Sequence, residues 1–157
     1  MRPVLELLKK RPPVNGSLSP QDTVFDALQT LANHNVGALM VLDNGRLVGV
    51  FSERDYTRKI ALAGKSSRDT RVQDIMTANV ITVAPTARTR YCLALMSQKK
   101  IRHLPVVDGD TVLGMISIRD IMDDIIADHE LTINHLQHYI SGERQEVDPP
   151  TAGGTGS

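Results

Sequence analysis

The chain has 157 residues, with 18 Lys+Arg balanced by 18 Asp+Glu and a formal net charge of zero. That length fits one domain or two very small ones and excludes a typical α/β barrel of about 250 residues. Balanced charge and only 3% aromatic residues exclude a general affinity for nucleic acid or acidic membrane surfaces.

Hydrophobic residues at 41% and charged residues at 23% are ordinary globular values, so global disorder is excluded. The single cysteine, Cys92, can form no internal disulfide and no Cys-rich zinc site. The N-terminal MRPVLELLKKRPP holds too short an apolar run for a signal peptide, and no stretch reaches the ~20 apolar residues of a membrane span. A reducing, cytoplasmic location is the expectation.

The first element is a short helical lead-in carrying Val4, Leu5, Leu7 and Leu8. A short strand is expected around Ser17-Leu18. Val24, Ala27, Leu28 and Leu31 then follow at i, i+3, i+4 and i+7, one apolar helix stripe with Asp22 as N-cap. Two apolar runs, Ala38 to Leu42 and Leu47 to Phe51, flank the turn Asp43-Asn44-Gly45 and predict a hairpin. A second helix starts at Ser52.

Everything from residue 19 to 60 then recurs at 84–125, at a constant offset of 65 and without gaps. Ten of these 42 positions are identical, among them Pro20 and Pro85, Gly49 and Gly114, Ser52 and Ser117, Arg54 and Arg119, Asp55 and Asp120. The second copy opens with its own lead-in, Val72-Ile75-Met76, and a strand at Ile81-Thr82-Val83. Its helix stripe is Thr89, Cys92, Leu93 and Met96, which makes Cys92 a small core residue. Its hairpin runs Leu104 to Val107, Asp108-Gly109-Asp110, Val112 to Ile116, and its last helix starts at Ser117. Met122, Ile126, Ile133, Leu136 and Ile140 extend that helix to about Ser141, beyond which the chain reads as a tail.

The expectation is therefore an α/β (α+β) chain of two β-α-β-β-α repeats packed as a pseudo-symmetric pair. Its parts are residues 1–65, residues 66–141 and a flexible tail at 142–157. A repeat of about 46 residues buries too little surface to be stable alone.

The segments GALMVLDNGRLVGVFSERDY, DIMTANVITVAPTA and KKIRHLPVVDGDTVLGMISIRDIM resemble a tandem pair of cystathionine-β-synthase (CBS) domains, a Bateman module. The resemblance covers residues 1 to about 140. It implies a regulatory, signal-transducing module that binds adenine nucleotides in clefts between the paired repeats. It also implies a homodimer formed through the repeat helices, acting on an unknown protein target. AMP is the first ligand expected, with ADP, ATP or NAD as others.

The residues themselves carry compatible chemistry. Free backbone N–H groups at the helix starts favour phosphate. Ser52 and Ser117 can donate to it, and Arg54 and Arg119 can neutralise it. Asp55 and Asp120 are carboxylates able to accept from both hydroxyls of a ribose, the role the resemblance assigns to them. The resemblance places adenine near the Leu104-Pro105 strand. Main-chain groups at Ala38, Leu39 and Met40, and at His103, Leu104 and Pro105, would read its edge. Thr82 and Ser17 would line the sugar or base side.

Ser-x-x-Asp at a helix start is equally an N-cap followed by a first-turn acid, which stabilises a helix with no ligand present. The two copies also differ. Lys99, Lys100, Arg102 and His103 precede the second Leu-Pro-Val strand, where the first copy has His34, Asn35, Gly37 and Ala38, and Met40 in place of the proline. The second site is therefore expected to attract phosphate more strongly. His129, His135 and His138 lack partners at metal-ligand spacing, so no metal is expected. No nucleophile–base order or Walker glycine loop points to catalysis. The alternative is a nucleic-acid-binding or adaptor protein that uses the same scaffold without nucleotide.

Overall fold

A computed structural model describes residues 2–10 and 16–129. The chain divides into two compact units between Ile118 and Arg119. The first unit holds α1 (Val4–Lys10), α2 (Val24–His34), β1 (Ala38–Asp43), β2 (Arg46–Ser52), α3 (Glu53–Tyr56), α4 (Val72–Ile75), α5 (Thr89–Lys99), β3 (His103–Asp108) and β4 (Thr111–Ser117). Residues 118–129 are helical. The expected extension to Ser141, the tail from 142, His135 and His138 lie outside the described residues.

The duplication is visible bond by bond. β1 pairs antiparallel with β2 and β3 with β4, and each hairpin breaks register at one place, Val41/Leu42 and Val106/Val107, which are 65 residues apart. The two-residue turn of the first hairpin places Asn44 at φ 53° and Gly45 at φ 82°, the pair of positive angles that matches the twist of the flanking strands. The strands expected at Ser17-Leu18 and Ile81 to Val83 are single parallel bridges instead, Leu18 to Val41 and Val83 to Val106. Each bridge is closed by two main-chain bonds; for Leu18 these are Leu18 N to Met40 O at 2.9 Å and Leu42 N to Leu18 O at 2.8 Å. Pro20 and Pro85 follow too soon for a longer ladder, because proline brings no N–H.

The N-cap of α2 is Thr23, not Asp22. Thr23 Oγ1 accepts from Asp26 N at 3.1 Å, while Asp22 Oδ2 accepts from Ser19 N at 2.9 Å and stabilises the preceding turn. Both residue types suit a cap, and the turn before the helix competes for the aspartate. The helix after β2 is also shorter than its pattern. It makes one α-turn from Glu53 and then widens to a π-helical turn over Thr57–Ala61.

The lead-ins cross over between the repeats. α4, which precedes the second repeat, caps the first: Val72 N donates to Asp22 O at 2.8 Å and Gln73 N to Pro20 O at 3.1 Å. α1, which precedes the first repeat, caps the second: Val4 N donates to Ala87 O at 2.8 Å and Leu5 N to Pro85 O at 3.2 Å. Val72 and Ile75 complete a buried cluster with Leu18, Val24, Ala27, Leu31, Leu39, Val41, Phe51 and Ile60. Val4, Leu7, Val83, Cys92, Met96, Leu104, Val106 and Ile116 are buried as well. Each fully buried Val, Leu or Ile contributes about 1.5–3 kcal/mol, so the exchanged lead-ins supply what a repeat of this size lacks.

In the second unit Ile121 is fully buried, while Met122 is 43% and Ile126 49% exposed, one helical turn apart.

Candidate functional site

The first unit contains a cleft of about 850 Å³. One wall is the end of β2 and the turn after it: Val50, Ser52, Glu53, Arg54, Asp55, Arg58 and Lys59, with Gly37. The other wall is the segment between the repeats, Thr77 and Asn79 to Ile81, together with the end of α5 and the start of β3, Lys99 to His103 and Pro105. Six cationic residues, Arg54, Arg58, Lys59, Lys99, Lys100 and Arg102, and two acidic ones, Glu53 and Asp55, line it. A chain of zero net charge has thus concentrated positive charge in one concavity, which favours anions.

Ser52 and Asp55 form a reciprocal capping box. Ser52 Oγ accepts from Asp55 N at 3.2 Å, and Asp55 Oδ2 accepts from Ser52 N at 3.0 Å and from Ser52 Oγ at 3.1 Å. Glu53 N donates to Gly37 O at 3.0 Å. The expectation of free backbone N–H groups for phosphate is therefore corrected at Ser52, Glu53 and Asp55. The cap takes two of those donors and the Gly37 carbonyl, just before β1, takes the third.

Asp55 is 8% exposed. Its second oxygen, Oδ1, is 3.0 Å from Lys59 Nζ and accepts from Thr77 Oγ1 at 3.4 Å. Lys59 Nζ also donates to the Ile75 carbonyl at 2.8 Å, tying the carboxylate to the end of α4. Arg54 Nη1 donates to the Lys100 carbonyl at 3.1 Å. Lys100 is the C-cap of α5 and sits at φ 57°, ψ 44°, the left-handed conformation that Asn35 adopts at the end of α2.

The structure thus brings Ser52, Arg54, Asp55, Lys100, Arg102, His103 and Pro105 into one cleft. Leu104, Leu39 and Ala38 are buried instead, with Leu39 in the core cluster of the first repeat. Met40 is half-buried, and Ser17 and Thr82 are exposed next to the two single bridges. None of these six lines the cleft. Ser117 closes β4 opposite His103, and Arg119 and Asp120 belong to the second unit.

The basic group of the second repeat faces the Ser-x-Arg-Asp segment of the first. Its charge was expected to strengthen a site of the second copy. Arg58, Lys59, Thr77 and Asn79 to Ile81 were not singled out: Arg58 and Lys59 are replaced by Asp123 and Asp124 in the second copy, and the inter-repeat segment lies outside the 65-residue register. A signal existed: Val4, Leu7 and Leu8 recur as Val72, Ile75 and Met76 at an offset of 68, which extends the duplication into that segment.

Burial pushes the Cys92 thiol up to about 11, so it stays protonated in the core and is no nucleophile. Among the described residues no group of three or more His, Cys, Asp and Glu could hold a metal ion, and no helix is long and apolar enough to cross a membrane.

Comparison with known proteins matches residues 4–62 and 72–127 to the CBS domain. The CBS domain-containing protein CBSX3, mitochondrial, of Arabidopsis thaliana is 41% identical over 126 residues, 77% of this chain. The chain spans 61% of the length of that relative. A putative signal-transduction protein with CBS domains from Burkholderia ambifaria is 42% identical, with a TM-score of 0.77 over 80% of this chain and 95% of its own. A CBS domain protein from Pyrobaculum aerophilum, solved in complex with AMP, is 34% identical, with a TM-score of 0.66 over 75% of this chain and 88% of its own. Two matched repeats, together with the duplicated hairpins and lead-ins, establish that this chain belongs to the CBS domain family.

Proposed function

We propose that this chain is a regulatory module whose cleft between Arg54-Asp55 and Lys99 to Pro105 binds an adenine nucleotide, AMP first, with ADP, ATP or NAD as others. The observation that carries the reading is the excess of six cations over two carboxylates in one concavity of an otherwise neutral protein. The cations suit the phosphate, and the Asp55 carboxylate suits the ribose diol. His103 and Pro105 lie on the cleft wall where the resemblance puts the base. The AMP complex of the Pyrobaculum relative supports the ligand class.

The ligand shifts the packing of the two repeats only by as much as its affinity differs between the arrangements. The module works as a homodimer through its repeat helices, for which Met122 and Ile126 offer exposed apolar surface, and passes the signal to a protein target. A reducing compartment such as the cytoplasm suits the buried thiol of Cys92.

One observation favours a second reading. Ser52 and Asp55 form a reciprocal capping box, which stabilises a helix start with no ligand role. An adaptor that uses the scaffold without nucleotide would look like this. Thermal unfolding with AMP, ADP, ATP, NAD and S-adenosylmethionine separates the two. At 100 times Kd a ligand adds about 2.7 kcal/mol, or roughly 5–10 °C for a chain of this size. No shift with any of them would leave the adaptor reading.

A further inference from the structure

We propose that two copies of this chain pair head to tail: the helix face after β2 of one copy packs on the helix face after β4 of the other, and the contact is made twice about a two-fold axis. The inference rests on the homodimer in the reading above and gives it an orientation.

The duplication supplies two equivalent faces, one on each repeat. After β2, Thr57, Arg58, Ala61 and Leu62 are exposed, Leu62 to 78%. At the offset of 65, Met122, Asp123, Ile126 and Ala127 are exposed after β4. Positions i, i+1, i+4 and i+5 lie on one side of a helix. The core takes the other side, through Ile60 in the first unit and Ile121 in the second. Each repeat therefore shows apolar surface that its own fold does not cover.

The two faces are opposite in charge. Residues 57–63 hold Arg58 and Lys59 and no acid, whereas residues 122–128 hold Asp123, Asp124 and Asp128 and no base. Arg58 and Asp123 occupy equivalent exposed positions, and neither is in an ion pair among the described residues. Pairing like faces would gather arginines at one contact and aspartates at the other, and like charges set together are costly. Pairing unlike faces sets Arg58 toward Asp123 at both contacts. Bulk follows the same rule. Thr57 and Ala61 are smaller than their counterparts Met122 and Ile126, and Leu62 is larger than Ala127, so unlike faces interlock where like faces would set bulk against bulk. Each copy carries one face of each kind, so two contacts close a dimer and leave neither face over.

The test cross-links single cysteines in the full chain with a short bis-maleimide. Cys92 is buried and protonated, so it does not react. Nucleotide is left out, because Arg58 also lines the cleft. Ala61→Cys and Ala127→Cys chains should each stay uncross-linked alone, and an equimolar mixture should give a covalent dimer. Arg58→Asp should weaken the dimer about 10-fold in sedimentation at low salt, since both contacts turn from attraction to repulsion, and adding Asp123→Arg should restore it. Cross-linking of either cysteine variant with itself would overturn the orientation and leave the dimer standing. So would an Arg58→Asp chain that dimerises as the wild type does. Masses beyond two copies would overturn the closed pair. A wild-type chain of single mass would remove the dimer reading itself, and the orientation with it.

Discussion

Arg54 and Lys100 are 46 residues apart in sequence and joined by a hydrogen bond of 3.1 Å, from the guanidinium of the first to the carbonyl of the second. The bond ties the helix start of one repeat to the helix end of the other. Arg54 also lines the cleft, so it is placed to act on both packing and ligand. Arg54→Met should lower unfolding stability by only about 0.5–1 kcal/mol, because the side chain is exposed and water screens the bond. It should weaken AMP binding about 10-fold through the lost charge. Melting curves and titration of the one variant read both effects, and a loss of stability with unchanged affinity would make Arg54 purely structural.

The cleft joins Asp55, not a residue of the second repeat's own helix, to Lys99, Lys100 and Arg102. The order of effects expected from charge counted repeat by repeat is therefore reversed. Asp55→Asn should weaken AMP binding by about 1.5–3 kcal/mol, roughly 10- to 100-fold, and Asp120→Asn by less. Thr23→Ala serves as the control. It removes the α2 cap at a cost of about 1 kcal/mol and should leave nucleotide affinity alone. Equal affinities for wild type and Asp55→Asn would remove the ribose role of this carboxylate.

Gly49 faces the segment between the repeats. A Cβ there would lie 2.5 Å from Met76 Sδ and 3.1 Å from the Thr77 carbonyl oxygen. Gly49→Ala should destabilise the chain by about 1–3 kcal/mol through overpacking. Met76→Ala should recover part of that loss in the double variant, because the thioether is the nearer obstacle and the carbonyl remains. Additive effects in chemical unfolding would show that Met76 does not carry the contact.

Met122 and Ile126 are exposed one helical turn apart. If they are covered across a homodimer, Ile126→Asp should give a single-chain mass by light scattering at micromolar concentration, where the wild type gives twice that mass. Wild-type chain that is already single under these conditions, with and without nucleotide, would remove the dimer from the proposal.

Cys92 links stability to alkaline pH. Burial raises the folded thiol from 9.0 to about 11, so the unfolded chain loses this proton first. The contribution is complete below pH 9 and declines as pH rises toward 11. Lysines and tyrosines titrate in the same range, so the measurement is the difference between wild type and Cys92→Val. That difference should narrow against the wild type above pH 9, and a constant difference from pH 7 to 11 would contradict the burial of the thiol.

Much of this architecture is written in local spacing. The stripe of Val24, Ala27 and Leu31 and its echo at Thr89, Cys92 and Met96 specify two helices, since a side chain three or four places on shares a helix face. Apolar runs around Asn44-Gly45 and Gly109-Asp110 specify two hairpins, and the offset of 65 specifies that they are copies. The tertiary structure decided the rest. Asp22 and Thr23 are equally good caps on paper, and the turn at Ser19 assigns one to each task. The π-helical turn at Thr57–Ala61 leaves no mark in the spacing that precedes it. Above all, the lead-ins cross to the opposite repeats, and the cations of one repeat face the carboxylate of the other. Periodicity encodes which face of an element is apolar, but not which other apolar face it meets. That choice is made by the area buried and the main-chain donors satisfied when segments far apart in sequence are brought together.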